Sequence, residues 1–230
     1  MFNILTLNKI SKVGLDKLDP AKYTCSDSVE APDAILVRSA SMHEMTLSPA
    51  TLAIGRAGAG VNNIPVADFG AQGVAVFNTP GANANAVKEL VLCSLFLASR
   101  KVASAVEWCK TLKGEGDAVG KLVEKGKSAF AGPEILGKTL GVIGLGAIGT
   151  LVAEGAKALG MDIVGYNPRL PEERIADLTS KGIKLMSSLD ELYAASDYIT
   201  LHLPLNDSTR GMINGEAIAK MKDGVRILNF

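Results

Sequence analysis

Nine consecutive residues, Gly141-Val142-Ile143-Gly144-Leu145-Gly146-Ala147-Ile148-Gly149, carry the strongest chemical signal in this chain. Gly144, Gly146 and Gly149 satisfy the spacing G-x-G-x-x-G. In that pattern the first glycine permits a tight strand-to-helix turn. The second lets backbone approach a pyrophosphate, and the third lets the helix lie close on the strand. The helix that follows, read over Ala147–Leu159, aims its first N–H groups at the phosphates. An apolar run precedes the motif, and a second strand candidate, Asp162–Tyr166, follows at the distance expected of a βαβ unit. In that context the glycines read as a dinucleotide site rather than as packing glycines alone.

The residue closing the second strand of such a unit normally selects the cofactor. An acidic side chain there accepts both ribose hydroxyls of NAD and repels the 2′-phosphate of NADP. Here the segment is Asn167-Pro168-Arg169. Asparagine still bonds a ribose hydroxyl but excludes no phosphate. Arg169 either reaches a 2′-phosphate or is a solvated surface arginine. NAD is the expected cofactor, with NADP the open alternative.

Two arginines form the second candidate group. Arg38 lies in Val37-Arg38-Ser39-Ala40, and Arg56 opens Arg56-Ala57-Gly58-Ala59-Gly60-Val61-Asn62-Asn63-Ile64. Both follow strand candidates, and Asn78-Thr79-Pro80-Gly81 follows a third. Open α/β sheets place ligands at strand ends, and guanidinium binds carboxylate or phosphate bidentately. From spacing alone, an anion site and a pair of ordinary surface arginines stand at even weight.

The elements that must position these groups follow from an alternation of short β-branched runs and helical patterns. Strands are expected at Asn3–Leu7, Ala34–Val37, Thr51–Gly55, Val74–Asn78, Thr139–Ile143, Asp162–Tyr166, Ile183–Met186, Tyr198–Leu201 and Val225–Asn229. Helices are expected at Ala84–Arg100, which is apolar on more than one face, and at Ala103–Leu112. Gly114–Gly132, rich in Gly and Lys and without a clear period, reads as a mobile, partly helical connection. The alternation implies an α/β protein with parallel sheets in two lobes, the first with four strands. The boundary is placed so that residues 1–81 form one lobe and residues 82–230 the other.

Composition narrows the function classes. The 230 residues are 47% hydrophobic and 21% charged, which suits a globular protein with a substantial core. Lys+Arg and Asp+Glu are both 24, so no charge excess points to nucleic acid or an anionic membrane. Aromatic residues at 5% argue against a base-stacking platform. No apolar run approaches the roughly 18 residues that span a bilayer, and Met1–Leu7 lacks the charged start of a secretory signal. Three cysteines (Cys25, Cys93 and Cys109) lack metal spacing and fit a reducing, cytoplasmic setting. No metal site is expected.

Taken in order, the segments VRSA, RAGAGVNNI, FNTPGANANAVKE, GKTLGVIGLGAIG, IVGYNP, HLPLNDSTRGMIN and GVRILNF resemble the D-2-hydroxyacid dehydrogenases, and most closely the D-3-phosphoglycerate dehydrogenases. The resemblance runs from Ala34 to Phe230. It implies two doubly wound lobes, a flavodoxin-like substrate lobe and a Rossmann NAD-binding lobe, the latter incomplete at its C-terminus. It implies reversible hydride transfer between nicotinamide and C2 of a 2-hydroxy acid, with cleft closure excluding water. By motif, Arg38 and Ser39 would meet a substrate phosphate or the cleft mouth, and Arg56, Gly58, Ala59 and Gly60 would face substrate and nicotinamide, with Asn83 nearby. Gly144, Gly146, Ala147, Ile148, Gly149, Asn167, Leu203 and Pro204 would hold the dinucleotide, and Phe230 would begin a loop under the nicotinamide. A small anionic substrate is implied, as is a homodimer, or a higher homo-oligomer, packed through Ala84–Leu112.

The chain departs from the family pattern at Asn62, where a small residue or Asp is usual. Ala147 stands where many members carry Arg, and Asn167 stands where an acidic residue is usual. The family's catalytic Arg, Glu and His are expected beyond Phe230. Of the two histidines present, His43 lies in a polar loop. His202 stands where the family keeps a histidine besides its catalytic one, and reads as structural or cofactor-positioning. An alternative class is a nicotinamide-responsive binding scaffold of the kind found among dehydrogenase-like co-repressors. Another is a dehydrogenase of a different 2-hydroxy acid, such as glycerate or glyoxylate.

Overall fold

A computed structural model describes all residues, Met1–Phe230, and they fall into two compact units, Met1–Asn83 and Ala84–Phe230. The first unit comprises β1 (Phe2–Leu7), α1 (Lys12–Leu15), β2 (Tyr23–Ser26), β3 (Ala34–Val37), β4 (Ala53–Arg56), α2 (Val66–Ala71) and β5 (Ala75–Phe77). Its five parallel strands run in the order β2-β1-β3-β4-β5, the flavodoxin-like arrangement. Ile35, Val37 and Ile54 are fully buried in its core, beside Phe69 of α2. Apolar, β-branched strands buried on both faces are what a parallel sheet requires.

The fifth strand corrects the four expected. β2 is Tyr-Thr-Cys-Ser, a short edge segment with no buried residue, so it carries no apolar run to betray it. It is held by parallel pairing with β1, Phe2 opposite Tyr23, and by stacking of those two rings at 5.9 Å.

The second unit begins with α3 (Ala84–Arg100), α4 (Val102–Thr111) and α5 (Val119–Gly126). It continues as β6 (Thr139–Ile143), α6 (Ala147–Ala158), β7 (Asp162–Tyr166), α7 (Glu172–Ser180), β8 (Lys184–Leu185), α8 (Leu189–Ala195), β9 (Tyr198–Leu201), α9 (Gly215–Ala219) and β10 (Arg226–Asn229). The sheet order β10-β9-β6-β7-β8 is entirely parallel and reverses direction at β6, which puts a topological switch point beside the glycine motif. β6 is buried from Leu140 to Ile143.

Helix α3 packs on α6 through buried Val91 and Leu95, while Leu90, Phe96 and Leu97 on its other side are exposed. At its end, buried Ser99 donates to the Leu95 carbonyl at 2.6 Å and receives the Tyr198 hydroxyl of β9 at 2.7 Å. This ties the helix to the sheet.

The stretch read as a mobile connection is more ordered than its composition suggested. Two 3₁₀ turns, Gly116–Ala118 and Lys127–Phe130, flank α5. Val119, Leu122, Val123 and Gly126 are half-buried at i, i+3, i+4 and i+7, a helical period masked by the surrounding glycines and lysines. Gly126 is needed because the Trp108 ring lies against it, and Trp108 in turn meets Phe130 at 5.0 Å.

Candidate functional site

Strand β6 ends at Ile143, and the chain turns through Gly144 at φ 93°, a conformation that L side chains rarely adopt. A Cβ on Gly144 would stand 2.6 Å from the His202 carbonyl oxygen and 2.8 Å from Leu203 Cδ2. A Cβ on Gly149 would run into the carbonyl oxygen of Gly144 itself. Both glycines are therefore demanded by the protein's own packing.

Gly146 differs. It N-caps α6 in an extended conformation, no side chain caps the helix, and a Cβ there would meet nothing within 4 Å. The space beside Gly146 is open, and the first N–H groups of a twelve-residue helix face it without a side-chain acceptor. Such a donor set suits a pyrophosphate closely approached by backbone. Ala147 is exposed at this helix start and Ile148 is half-buried.

Asn167 ends the segment after β7 and has both ends of its amide engaged. Its Oδ1 accepts the Leu145 N–H at 3.2 Å, and its Nδ2 donates to the Arg169 carbonyl at 2.8 Å. The side chain thus secures the glycine loop, and the second N–H of Nδ2 and the spare lone pair of Oδ1 are left for a ribose hydroxyl. A cavity of about 590 Å³ opens beside it, lined by Asn167, Arg169, Leu170, Ile175, Leu185 and Met186 among others, a size and largely apolar lining suited to a nucleoside.

His202, Leu203 and Pro204 follow β9, the neighbour of β6. The His202 N–H donates to the Ile143 carbonyl at 2.8 Å, and the ring Nε2 lies 3.0 Å from Thr200 Oγ1. Burial lowers the imidazole from its usual 6.5 to about 4, so the ring is neutral near pH 7 and held away from acid–base duty. Pro204 accepts Thr209 Oγ1 at 2.7 Å through its carbonyl. Phe230, half-exposed, follows β10 at the same end of the sheet.

The His202 shift predicts a pH response. Between pH 6.5 and about 4 the unfolded chain binds a proton that the folded chain refuses. Stability is therefore fullest above pH 6.5 and is lost as pH falls through that window. His202→Gln is expected to flatten this part of the slope in denaturant titrations at pH 7, 6 and 5. An identical slope in the variant would show that His202 does not carry it.

In the first unit, Val37 and Arg56 are register partners on adjacent strands, so Arg38 follows one residue past the position opposite Arg56 at the neighbouring strand end. Arg38 and Ser39 are exposed. Arg56 is half-buried. Its guanidinium lies against Gly58, where a Cβ would stand 2.6 Å from Cζ, and its buried Nε–H has no partner in the protein.

Asparagines shape these loops, a role the sequence reading did not assign. Asn8, at φ 67°, accepts the Ser39 and Ala40 N–H groups at 3.0 and 2.5 Å. Asn78 Nδ2 donates to the Ala59 carbonyl at 2.7 Å, and the Thr79 N–H donates to the Gly58 carbonyl at 3.0 Å. Asn63 Nδ2 donates to the Ala40 carbonyl at 2.8 Å and so joins the two arginine loops. Gly60 is exposed in the second loop, and Asn83 is exposed in the turn that leads into α3. Asparagine directly after an apolar strand, as at Asn8 and Asn78, is the signal that marks such loop ties.

Comparison with known proteins yields consistent matches. Residues 92–230 match the family described as D-isomer specific 2-hydroxyacid dehydrogenase, NAD binding domain. The chain is 42% identical over 200 residues to a hydroxypyruvate reductase of Thermotoga maritima, a match covering 86% of this chain and 60% of that protein. It is 40% identical over 205 residues to a D-3-phosphoglycerate dehydrogenase of Mycobacterium leprae, covering 88% and 36% respectively. The structure of a glyoxylate reductase from Paecilomyes thermophila superposes with a TM-score of 0.79 at 27% identity, covering 99% of this chain and 73% of that one. The chain thus spans between about a third and two thirds of the length of these two curated relatives. No helix is long and apolar enough to cross a membrane.

Proposed function

The chain belongs to the D-isomer specific 2-hydroxyacid dehydrogenases, and from that premise we propose that its protein transfers a hydride between NAD and C2 of a D-2-hydroxy acid, with 3-phosphoglycerate the first substrate to test. With that substrate the reaction opens L-serine biosynthesis. The observation that carries the substrate class is Arg56: a buried guanidinium N–H without a protein partner, at the end of the strand paired with the one that leads into Arg38. An anion with two acidic groups supplies acceptors to both.

NAD supplies the nicotinamide ring that accepts or returns the hydride. The residues of this chain bind and orient. The uncapped start of α6 meets the pyrophosphate, the cavity beside Asn167 takes the adenosine, and Leu203 and Pro204 border the dinucleotide. Phe230 begins the segment at the nicotinamide, and Arg38, Ser39, Arg56, Gly58, Gly60 and Asn83 serve the substrate. Neither histidine suits a general acid: His202 is neutral and bonded to Thr200, and His43 Nε2 is bonded to the Asn62 carbonyl at 2.9 Å. The proposed contribution of these 230 residues is recognition, not proton transfer.

A second substrate reading, hydroxypyruvate or glyoxylate, is favoured by the 42% identity to the hydroxypyruvate reductase. Initial rates of the full-length protein decide between them, with NAD or NADP for oxidation of 3-phosphoglycerate and with NADH or NADPH for reduction of hydroxypyruvate and glyoxylate. A kcat/KM at least about tenfold higher for 3-phosphoglycerate supports the first reading, the reverse order supports the second, and no turnover with any of them sinks both. We also propose a homodimer through residues 84–112, supported by the exposed Leu90, Phe96, Leu97, Val102 and Val106. Light scattering on the same preparation checks it, and a monomeric mass overturns it.

A further inference from the structure

The glycine loop is held by a residue that lies outside every motif. Arg174, on α7, directs Nη2 at the Leu145 carbonyl oxygen, 3.4 Å away, and at Thr150 Oγ1, 3.2 Å away. Thr150, the fourth residue of α6 and buried, itself donates to the same carbonyl at 3.2 Å. Nη1 of Arg174 is anchored by Asp177 Oδ2 at 2.6 Å, and Asp177 is in turn approached by Lys181, which bridges to Glu154 of α6 at 2.8 Å. On the other side of the same residue, the Leu145 N–H is taken by Asn167.

The consequence follows from peptide geometry. The chain has no cis peptide bond, so the C=O of Leu145 and the N–H of Gly146 share one plane and point in opposite directions. Two donors draw the carbonyl inward. The Gly146 N–H is thereby turned the opposite way, away from Arg174 and Thr150, and it has no backbone acceptor in the protein. With Asn167 fixing the preceding peptide, both peptide groups of Leu145 have a set orientation before any ligand arrives. Pre-set donors bind without a reorganisation cost.

We propose that Arg174 is a positioning residue for the cofactor pyrophosphate: through the Leu145 carbonyl, together with Thr150, it presents the Gly146 N–H to the phosphate. This rests on the dinucleotide reading of the loop. Arg174 itself touches no phosphate and need not carry its charge to one. Its neighbour Ile175 lines the cavity beside Asn167, so α7 serves the nucleoside cavity and the phosphate loop together.

The test is equilibrium binding of NADH, ADP and adenosine to the full-length protein, by NADH fluorescence and by calorimetry, for wild type, Arg174→Met, Arg174→Lys and Thr150→Val. Arg174→Met is expected to weaken NADH and ADP alike by about tenfold, the loss of one charge-assisted hydrogen bond, and to leave adenosine unchanged. Arg174→Lys, which keeps one donor, should recover part of that loss. Thr150→Val removes the second donor to the same carbonyl and should weaken NADH and ADP by several-fold with the same indifference to adenosine. It carries the test if Arg174→Met fails to fold. Unchanged NADH affinity in a folded variant overturns the proposal, as does an equal loss for adenosine, which would locate the effect in the nucleoside cavity. Wild-type protein that binds neither NADH nor ADP overturns the dinucleotide reading itself, an outcome distinct from either.

Discussion

Gly146→Ala is expected to leave the melting temperature of the protein nearly unchanged and to raise the NADH dissociation constant at least about tenfold. Gly149→Ala, three residues along, should act first on stability: it should lower the melting temperature. The difference lies in what each new methyl group meets. At Gly146 there is no atom within 4 Å, and the φ of −79° and ψ of −158° are open to alanine. Two small effects oppose each other there. Alanine is a poorer N-cap than glycine, but it restricts the unfolded chain, and the net change stays within about 1 kcal/mol. The open space is nevertheless where a pyrophosphate must sit if it is to reach the helix start, so the methyl group competes with the ligand.

At Gly149 the methyl group meets the Gly144 carbonyl oxygen, which is backbone held between β6 and α6 and cannot rotate aside. Overpacking of this kind costs about 1–3 kcal/mol, which is roughly 2–12 °C of Tm in a unit of this size. Thermal melts with and without NADH read both variants. Wild-type NADH affinity in Gly146→Ala would remove the helix start from the cofactor site. A wild-type melt in Gly149→Ala would show that α6 can shift away from β6.

The same contrast explains how much was legible in the sequence. Strands β6, β7 and β9 are buried on both faces, so burial writes them into the sequence as apolar runs. β2 is an edge strand whose stability comes from pairing with β1, and pairing leaves no mark on composition. Helix α5 was hidden because its period is carried partly by Gly126, which packs under Trp108 by having no side chain. At the site, the glycines could be read because their requirement is steric and local. The partners of Asn8, Asn63 and Arg174 could not be. Asn8 holds a turn 31 residues away, Asn63 a carbonyl 23 residues away, and Arg174 a carbonyl 29 residues away. Nothing in the local sequence of any of them points to its partner. By its place after β7, Asn167 reads as the residue that chooses the cofactor. Its two bonds show that it also holds the loop, which gives an asparagine at this place a reason independent of the ribose.

Arg56→Ala separates stability from function in the first unit. The buried Nε–H of Arg56 has no partner in the protein, and an unmatched buried donor costs about 1–3 kcal/mol. Removing it should leave the Tm unchanged or slightly raised. If that N–H is kept for a substrate anion, the same substitution should lower kcat/KM by roughly thirtyfold, about 2 kcal/mol, the worth of a charge-assisted hydrogen bond. Arg56→Lys keeps the charge but has neither the Nε–H nor the fork, so it should recover little. Arg38 provides the control within the same unit. Its side chain is exposed, so water and salt screen its field. Arg38→Ala should cost only a few-fold, and that loss should shrink as ionic strength rises, whereas the loss at Arg56 should persist. Steady-state kinetics at low and high salt, beside thermal melts of the same variants, read all four expectations. Equal, salt-sensitive losses at both arginines would mean that the pair acts through its field alone. A fall in Tm for Arg56→Ala would mean that its guanidinium holds the Gly58 loop together and that the substrate effect is secondary to folding.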